Sequence, residues 1–270
     1  MKDKRVLFVS SEVTPYLPEN EMSSTSFEAA RAVHHKGGQT RIFMPRFGVV
    51  NERRHQLHEV IRLSGMNLVI NDMDMPLIIK VASIPKERMQ VYFIDNDEYF
   101  KRKATFTDED GNLFPDNDER AIFFAKGVVE TVKKLNWAPD IIHVHGWMSA
   151  MLPVYLKEYY SNDPLFENSK IVVSLYDNGF EGTLDSEFIN KVKFDQISDE
   201  NAAILETPSY DNVMKNAINN SDAVLIANEN VSADLKEFAK NSEKPVLEYN
   251  SELDFSEAYL SFYNEKVLDN

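Results

Sequence analysis

The sequence predicts an α/β fold, a doubly wound parallel sheet with an inserted antiparallel β-meander and a C-terminal helix. Three observations carry this. Short β-branched runs alternate with helical patterns along most of the chain, and such crossovers imply parallel strands. Ile171–Ser174 and Ala223–Ile226 are continuous apolar runs, as strands buried on both faces should be. Between Glu59 and Ile94 the alternation stops, and strand-like runs follow one another without long helices.

Arg5–Ser10 is a strand. Thr25 and Glu28 have capping-box spacing, so a helix is expected from Thr25 as N-cap. It runs through Ala29, Ala30 and Val33 to the stop at Gly37-Gly38. Thr40–Met44 is the next strand and Pro45 ends it. Val60–Leu63, Leu68–Ile70, Leu77–Ile84 and Val91–Ile94 form the meander. Asp95–Asp118 is a long polar loop of the kind that is often functional. Helices are expected at Asn117–Leu135, Met148–Tyr160, Asp211–Asn219 and Ser232–Lys240. Strands are expected at Asp140–His145, Lys170–Leu175, Asp222–Ala227 and Pro245–Glu248. Asp254–Val267 closes the chain as an amphipathic helix, with Leu253, Phe255, Ala258, Tyr259, Phe262, Tyr263 and Val267 at helical spacing. That stripe must lie against the sheet or mediate self-association.

Composition narrows the function. The 270 residues are 43% hydrophobic and 27% charged, which suits a folded chain with a sizeable core. Lys+Arg number 29 and Asp+Glu 44, a net charge of −15. A surface this acidic repels phosphate backbones and anionic lipid, which argues against nucleic acid and membrane as partners. There is no cysteine, so disulfides, thiolate metal sites and cysteine nucleophiles are excluded. No run approaches the ~18 apolar residues of a membrane span. Val6–Val9 is too short for the ~7–15 residue core of a signal peptide. The expectation is a soluble, cytoplasmic protein.

Ligands of open α/β sheets bind beyond the carboxyl ends of the strands. Four segments are expected there: Ser10–Ser24, Arg46–His58, His143–Met148 and Tyr176–Gly182. A phosphate loop in the first would need glycines and a lysine before a helix N-terminus. It has neither, and Glu19 and Glu21 stand where an anion would go. His143 and His145, two apart on a strand, face the same side. No third ligand is placed beside them, so a hydrogen-bonding role is favoured over a metal. Asp108–Asn112 has its glycine misplaced for a calcium loop and reads as solvated. Arg46, Arg53 and Arg54 form a basic island. Trp147 falls in the crevice, where it either stacks on sugar or packs in the core. Trp137, before Ala138-Pro139, reads as packing at a helix end.

Several motifs together resemble the N-terminal catalytic domain of bacterial glycogen synthase and plant starch synthase, glycosyltransferase family 5. Val6–Val13 with Pro15 is similar to that family's opening strand and loop. Its LPRYG signature reads here Met44-Pro45-Arg46-Phe47-Gly48, and its DN-x-x-RF helix start reads Asp116-Asn117-Asp118-Glu119-Arg120. Its PDIVHAHDWHTALVPAYL segment corresponds to Pro139–Leu156. Its late AD-x-V-x-x-VS strand is similar to Ser221–Ala227. The resemblance covers about residues 4–240, with 250–270 as the added helix, and implies a single starch-synthase-type N-terminal domain over 1–270. It further implies a Rossmann-like half of a GT-B fold. Family members transfer glucose from ADP-glucose to the non-reducing end of an α-1,4-glucan.

Carried over residue by residue, the resemblance makes Glu12, Arg46, Asp116, Asn117, His145, Trp147 and Tyr176 the binding-cleft candidates. It also exposes departures. The KTGGLGD loop aligns on Pro18–Ser24, placing the nucleotide-sugar lysine on Pro18 and the two glycines on Asn20 and Glu21. HDWH reads His145-Gly146-Trp147-Met148, losing an aspartate at Gly146 and a histidine at Met148. TIHNLAYQG reads Ser174–Gly182, with Tyr176 in place of a histidine. No segment resembles the second Rossmann-like domain, which carries most of the family's donor site. The expectation is therefore a stand-alone, degenerate N-terminal domain with no catalytic residue, no metal, no cofactor and weak or absent ADP-glucose binding. Its partners would be an α-glucan or a protein of glycogen metabolism. The alternatives are an active glycosyltransferase subunit completed by a separate chain, and a regulatory or scaffold protein.

Overall fold

The computed structural model describes residues 1–177 and 179–269. Asn178, inside the Ser174–Gly182 segment aligned above, and Asn270 lie outside the described residues. The strands are β1 (Arg5–Ser10), β2 (Gln39–Pro45), β3 (His58–Glu59), β4 (Met66–Ile70), β5 (Met73–Ser83), β6 (Gln90–Asp95), β7 (Ile141–His145), β8 (Lys170–Leu175), β9 (Ala223–Ile226) and β10 (Val246–Leu247). Their order across the sheet is β10-β9-β8-β7-β1-β2-β6-β5-β3, with β4 paired to β5.

From β10 to β6 every pairing is parallel. The chain starts in the middle of the sheet, builds β1, β2 and β6 to one side, then returns to lay β7, β8, β9 and β10 on the other. That reversal at β1 is the topological switch of a doubly wound sheet. The central strands are buried along nearly their whole length, which is why their sequences are unbroken apolar runs. The antiparallel part is continuous with this frame. β6 pairs parallel with β2 and antiparallel with β5, which in turn carries β3 and β4.

Three local expectations are corrected. The first helix spans Glu21–His35, starting four residues before the expected Thr25 cap. Its N-cap is Asn20, whose side chain accepts from the Ser23 amide while the Ser23 hydroxyl accepts from the Asn20 amide. A Ser at the third helical position closes the box as Glu28 would have done, and Thr25 lies inside the helix. Val60–Leu63 is a turn, with Leu63 and Ser64 amides bonded to the Val60 carbonyl; the paired strand is displaced to His58–Glu59. Met148–Tyr160 is not one helix. It divides into a 3-10 turn at Trp147–Ser149, an α-turn at Leu152–Val154 and a π-helical stretch at Tyr155–Tyr159. Pro153 lacks the amide that would continue the ladder. A helix at Phe188–Phe194 has no counterpart among the expected elements.

The C-terminal helix runs Phe255–Phe262 with Asp254 as its cap and continues as a π-helical stretch over Tyr263–Leu268. It packs on Glu21–His35 and buries Tyr259, Leu260, Phe262, Tyr263 and Val267. Of the expected stripe, Leu253 remains 52% exposed. Tyr263 Oη lies 2.5 Å from His143 Nδ1 on β7, so the helix is tied to the middle of the sheet.

Truncation after Tyr249 should therefore lower the melting temperature or expose a sticky surface, since full burial of each large apolar side chain is worth roughly 1.5–3 kcal/mol. Thermal melting and hydrophobic-dye binding check this. Equal melting and solubility would show the helix to be dispensable.

Candidate functional site: an aromatic cleft beside a self-capped helix

Beyond the carboxyl edge of the sheet lies an open cleft of about 700 Å³. One wall is the loop Thr105–Leu113 and the other is the run from Gly179 to Thr183. Trp147 lies between them, and Glu12 and Asn20 border it. Aromatic rings cross the cleft in sequence. Phe106 lies 4.9 Å from Trp147, Trp147 5.0 Å from Phe180, and Phe180 5.9 Å from Tyr210. Phe106 and Phe180 are half-buried, and Trp147 is packed beneath them. Edge-to-face and tilted contacts at these spacings suit aromatic pairs. Around them the cleft is lined by polar residues such as Glu12, Asn20, Thr107, Asn112 and Glu181.

The first turn of the helix Asn117–Leu135 holds the first wall. Asp116 pairs with Arg102 through two contacts of 2.9 and 2.6 Å. Asn117 donates to the Phe106 carbonyl at 2.9 Å and accepts from Arg120 Nη1 at 2.5 Å. Arg120 is fully buried, and its guanidinium sits 5.5, 5.2 and 5.5 Å from the rings of Phe47, Phe100 and Phe114. Burial pushes its pKa down to about 9; ring faces supply the electrostatic compensation that hydrogen bonds do not. Phe47 and Arg120 come from two motifs far apart in sequence, and here they touch. Gly48 beside Phe47 allows a close backbone approach, because a Cβ there would lie 2.3 Å from the carbonyl oxygens of Lys101 and Arg102.

Asp118 and Glu119 meet the helix Phe188–Phe194, which follows the second wall. Lys191 Nζ lies 2.7 Å from Asp118, 3.1 Å from Glu119 and 3.1 Å from Asp185. Burial pushes Asp118 up to about 6 against the opposing pull of Lys191. Lys191 itself is shifted upward, because its three carboxylates outweigh desolvation. Both partners are thus shifted upward, Asp118 toward its neutral form and Lys191 toward its charged form. Asp118 is fully buried and shares its one cation with two other acids, so a raised value is physically consistent.

The other sequence candidates fall in different places. Glu12 is half-buried at the cleft and accepts from Asn20 Nδ2; burial raises its pKa. Arg46 follows β2 and lies outside the cleft lining, 2.9 Å from Asp95 and 3.5 Å from Glu52, so internal carboxylates already neutralise it. His145 is buried, with Nδ1 2.7 Å from Tyr176 Oη. His143 Nε2 lies 2.7 Å from Ser174 Oγ. Burial lowers His143 far below its ordinary value and His145 to about 3, so both rings are neutral hydrogen-bonding groups. Tyr176 is packed with Met22 and Ala227 under the cleft. Asp108 accepts from the amides of Asp110 and Asn112 and from the Asn112 side chain, a closed turn. Sequence reasoning missed Phe106, Phe180 and Lys191. A lone aromatic between two threonines in an acidic loop was a signal for Phe106; Lys191 had none.

The aligned donor-loop positions are filled by the chain itself. Asn20 caps the first helix, Pro18 is exposed and Glu19 accepts from the Ser24 hydroxyl at 3.3 Å. Glu21 accepts from Asn228 Nδ2 and borders a smaller cavity of about 240 Å³ with Thr25, Tyr249 and Tyr259. Gly146 has φ +80°, and a Cβ there would lie 2.5 Å from both Met22 Sδ and Ser11 Oγ. The space an aspartate would use is taken. Met148 is buried in the apolar core. Among the described residues, no group of three or more His, Asp or Glu is gathered as for a metal, and no helix is long and apolar enough to cross a membrane.

A doubly wound sheet with a polar-rimmed aromatic cleft at its carboxyl edge is the Rossmann-like half of a GT-B glycosyltransferase fold. The model for the starch synthase catalytic domain matches residues 5–247, and the chain belongs to that family, glycosyltransferase family 5. The glycogen synthase of Chlorobium limicola is 35% identical over 195 residues, 72% of this chain and 40% of the relative. That of Chlorobium luteolum is 32% identical over 222 residues, 82% of this chain and 45% of the relative. The chain thus spans less than half the length of these relatives. The catalytic domain of starch synthase IV from Arabidopsis thaliana, bound to ADP and acarbose, superposes with a TM-score of 0.74 at 16% identity, over 92% of this chain and 51% of that one.

Two outcomes follow from the geometry. Gly146→Asp should destabilise the fold by about 2 kcal/mol or more through overpacking and left-handed backbone strain, as read by denaturant unfolding, and should gain no nucleotide affinity. Asp118 has a folded pKa above its unfolded value, so the folded form holds the extra proton between about pH 4 and pH 6. Stability from this group is full below that window and is lost as pH rises through it. Asp118→Asn should flatten that decline in a pH series of melting temperatures, whereas an unchanged slope would place the titration elsewhere.

Proposed function

We propose that this chain is a glucan-binding member of the family without synthase turnover of its own. It acts as one N-terminal-type domain across residues 1–270, in the cytoplasm, as an accessory protein of glycogen metabolism. The observation that carries this reading is the N-terminus of the helix Glu21–His35. A nucleotide-sugar diphosphate needs free amide donors and positive charge at such a position. Here Asn20 already occupies the Ser23 amide, and Glu19 and Glu21 stand beside it. Transfer also needs the departing diphosphate to be stabilised, and two carboxylates reverse the sign of the local field. The closed space at Gly146 points the same way.

The glucan side of the reading rests on the aromatic series Phe106, Trp147 and Phe180. It is supported by the similar fold of a starch synthase that holds acarbose, an oligosaccharide mimic, beside ADP. Asp116 and Asn117 keep the Phe106 wall in register, so their part in binding is to shape the cleft.

The test is a turnover assay of the purified chain with ADP-glucose and glycogen, joined to calorimetry and glycogen co-sedimentation. No repeated transfer is expected, ADP-glucose should bind more weakly than a dissociation constant of ~100 μM, about −5.5 kcal/mol, and Trp147→Ala should release the chain from glycogen. Repeated glucose transfer by the purified chain would overturn the silent reading. Transfer restored only by cell extract would instead favour a subunit completed by another chain.

A further inference from the structure

We propose that Lys191 is a positioning residue for the cleft, fastening the Gly179–Thr183 wall to the same helical turn that carries the Thr105–Leu113 wall. The inference rests on the glucan-binding reading above for its function, and on contacts alone for its geometry.

The two walls come from distant parts of the chain, and no ladder of the sheet joins them. Four consecutive residues at the start of the helix Asn117–Leu135 do. Asp116 holds Arg102 and Asn117 holds the Phe106 carbonyl, both on the first wall. Asp118 and Glu119 hold Lys191. Lys191 also binds Asp185 at 3.1 Å, two residues past the end of the second wall. Asp185 in turn accepts from the Glu187 amide at 3.0 Å, closing the turn into the helix Phe188–Phe194. Glu119 additionally accepts from Tyr99 Oη at 3.0 Å, the residue whose carbonyl binds Arg102. The second wall is also attached through the Leu184 amide to the Pro208 carbonyl, through a bridge between Thr183 and Ser209, and through the ring of Phe180 on Trp147 and Tyr210. The ring contacts cross the cleft to Phe106 by way of Trp147. Lys191 adds the ion-paired tie, joining the segment that follows the second wall to the helical turn that holds the first.

A lysine is suited to this task. It is 6% exposed, and its ammonium offers three donors to three carboxylates. Replacing it by an apolar residue leaves three acids facing one another, and their repulsion acts to spread the walls. Rings stacked on a sugar tolerate little displacement, so the binding surface depends on a residue that touches none of the ligand.

The experiment uses the full chain with Trp137→Phe in every variant, so that Trp147, between Phe106 and Phe180, is the only tryptophan. Maltoheptaose is titrated by Trp147 fluorescence, and acrylamide quenching is measured without sugar. Lys191→Met should raise the dissociation constant about tenfold and increase quenching of Trp147. Lys191→Arg should restore both, which a loss of general stability would not explain. Asp185→Asn, cutting only the tie to the second wall at a partly exposed carboxylate, should shift both in the same direction; it decides the matter if Lys191→Met does not fold. A folded Lys191→Met chain with unchanged quenching and affinity would overturn the proposal. Should the parent chain bind no maltoheptaose, the glucan reading fails, while quenching still supports or rejects the coupling of the walls.

Discussion

The burial of Arg120 is the constraint on which the ligand-facing edge depends. A guanidinium enclosed by Phe47, Phe100 and Phe114 cannot shed its charge and has few hydrogen-bond partners. Its surroundings must therefore be rigid and aromatic. That requirement fixes where the loop after β2 meets the helix Asn117–Leu135, and the approach at Gly48 brings in Arg102 behind it. Asn117 is then committed to Arg120 on one side and Phe106 on the other. The cleft wall is thus an extension of a core interaction, which is why an otherwise polar, acidic loop can present an aromatic ring at a defined place.

At the opposite side of the cleft the helix Glu21–His35 is capped from within the chain. A helix N-terminus leaves several amides without intrahelical partners. Here Asn20 takes up the Ser23 amide and Ser23 the Asn20 amide, and the nearby acids complement the helix dipole. The same logic applies at Gly146, where Met22 and Ser11 occupy the volume next to the strand end. The family's scaffold and its charge chemistry are separable, since one rests on apolar burial and backbone pairing and the other on a few exposed polar groups.

The two histidines of β7 show how position converts chemical potential into structure. Side by side on one face, they could have served as ligands or bases. Complete burial removes the charged form of each. His143 joins Ser174 to Tyr263, and His145 takes up the hydroxyl of Tyr176. The C-terminal helix covers His143 through the rings of Tyr259 and Tyr263.

Sequence by itself determined the sheet. Unbroken apolar runs such as Ile171–Ser174 declare strands buried on both faces, the β-α-β spacing declares parallel pairing, and the stripe Tyr259, Phe262, Tyr263 and Val267 declares a covered helix. These signals are legible because each is local and periodic. The family was legible too, in motifs such as Met44–Gly48 and Asp116–Arg120. Helix starts were harder. Thr25 has capping chemistry and capping-box spacing, yet in the folded chain it lies inside the helix and Asn20 makes the cap. Tertiary structure alone decided that Arg46 is neutralised by Asp95, that Tyr176 is buried against His145, that Phe106 and Phe180 line the cleft, and that Lys191 meets Asp118. Those outcomes depend on which side chains meet across 31 to 73 positions of chain. Ion pairing and close packing are set by distance in space, and no periodicity along the sequence encodes that distance.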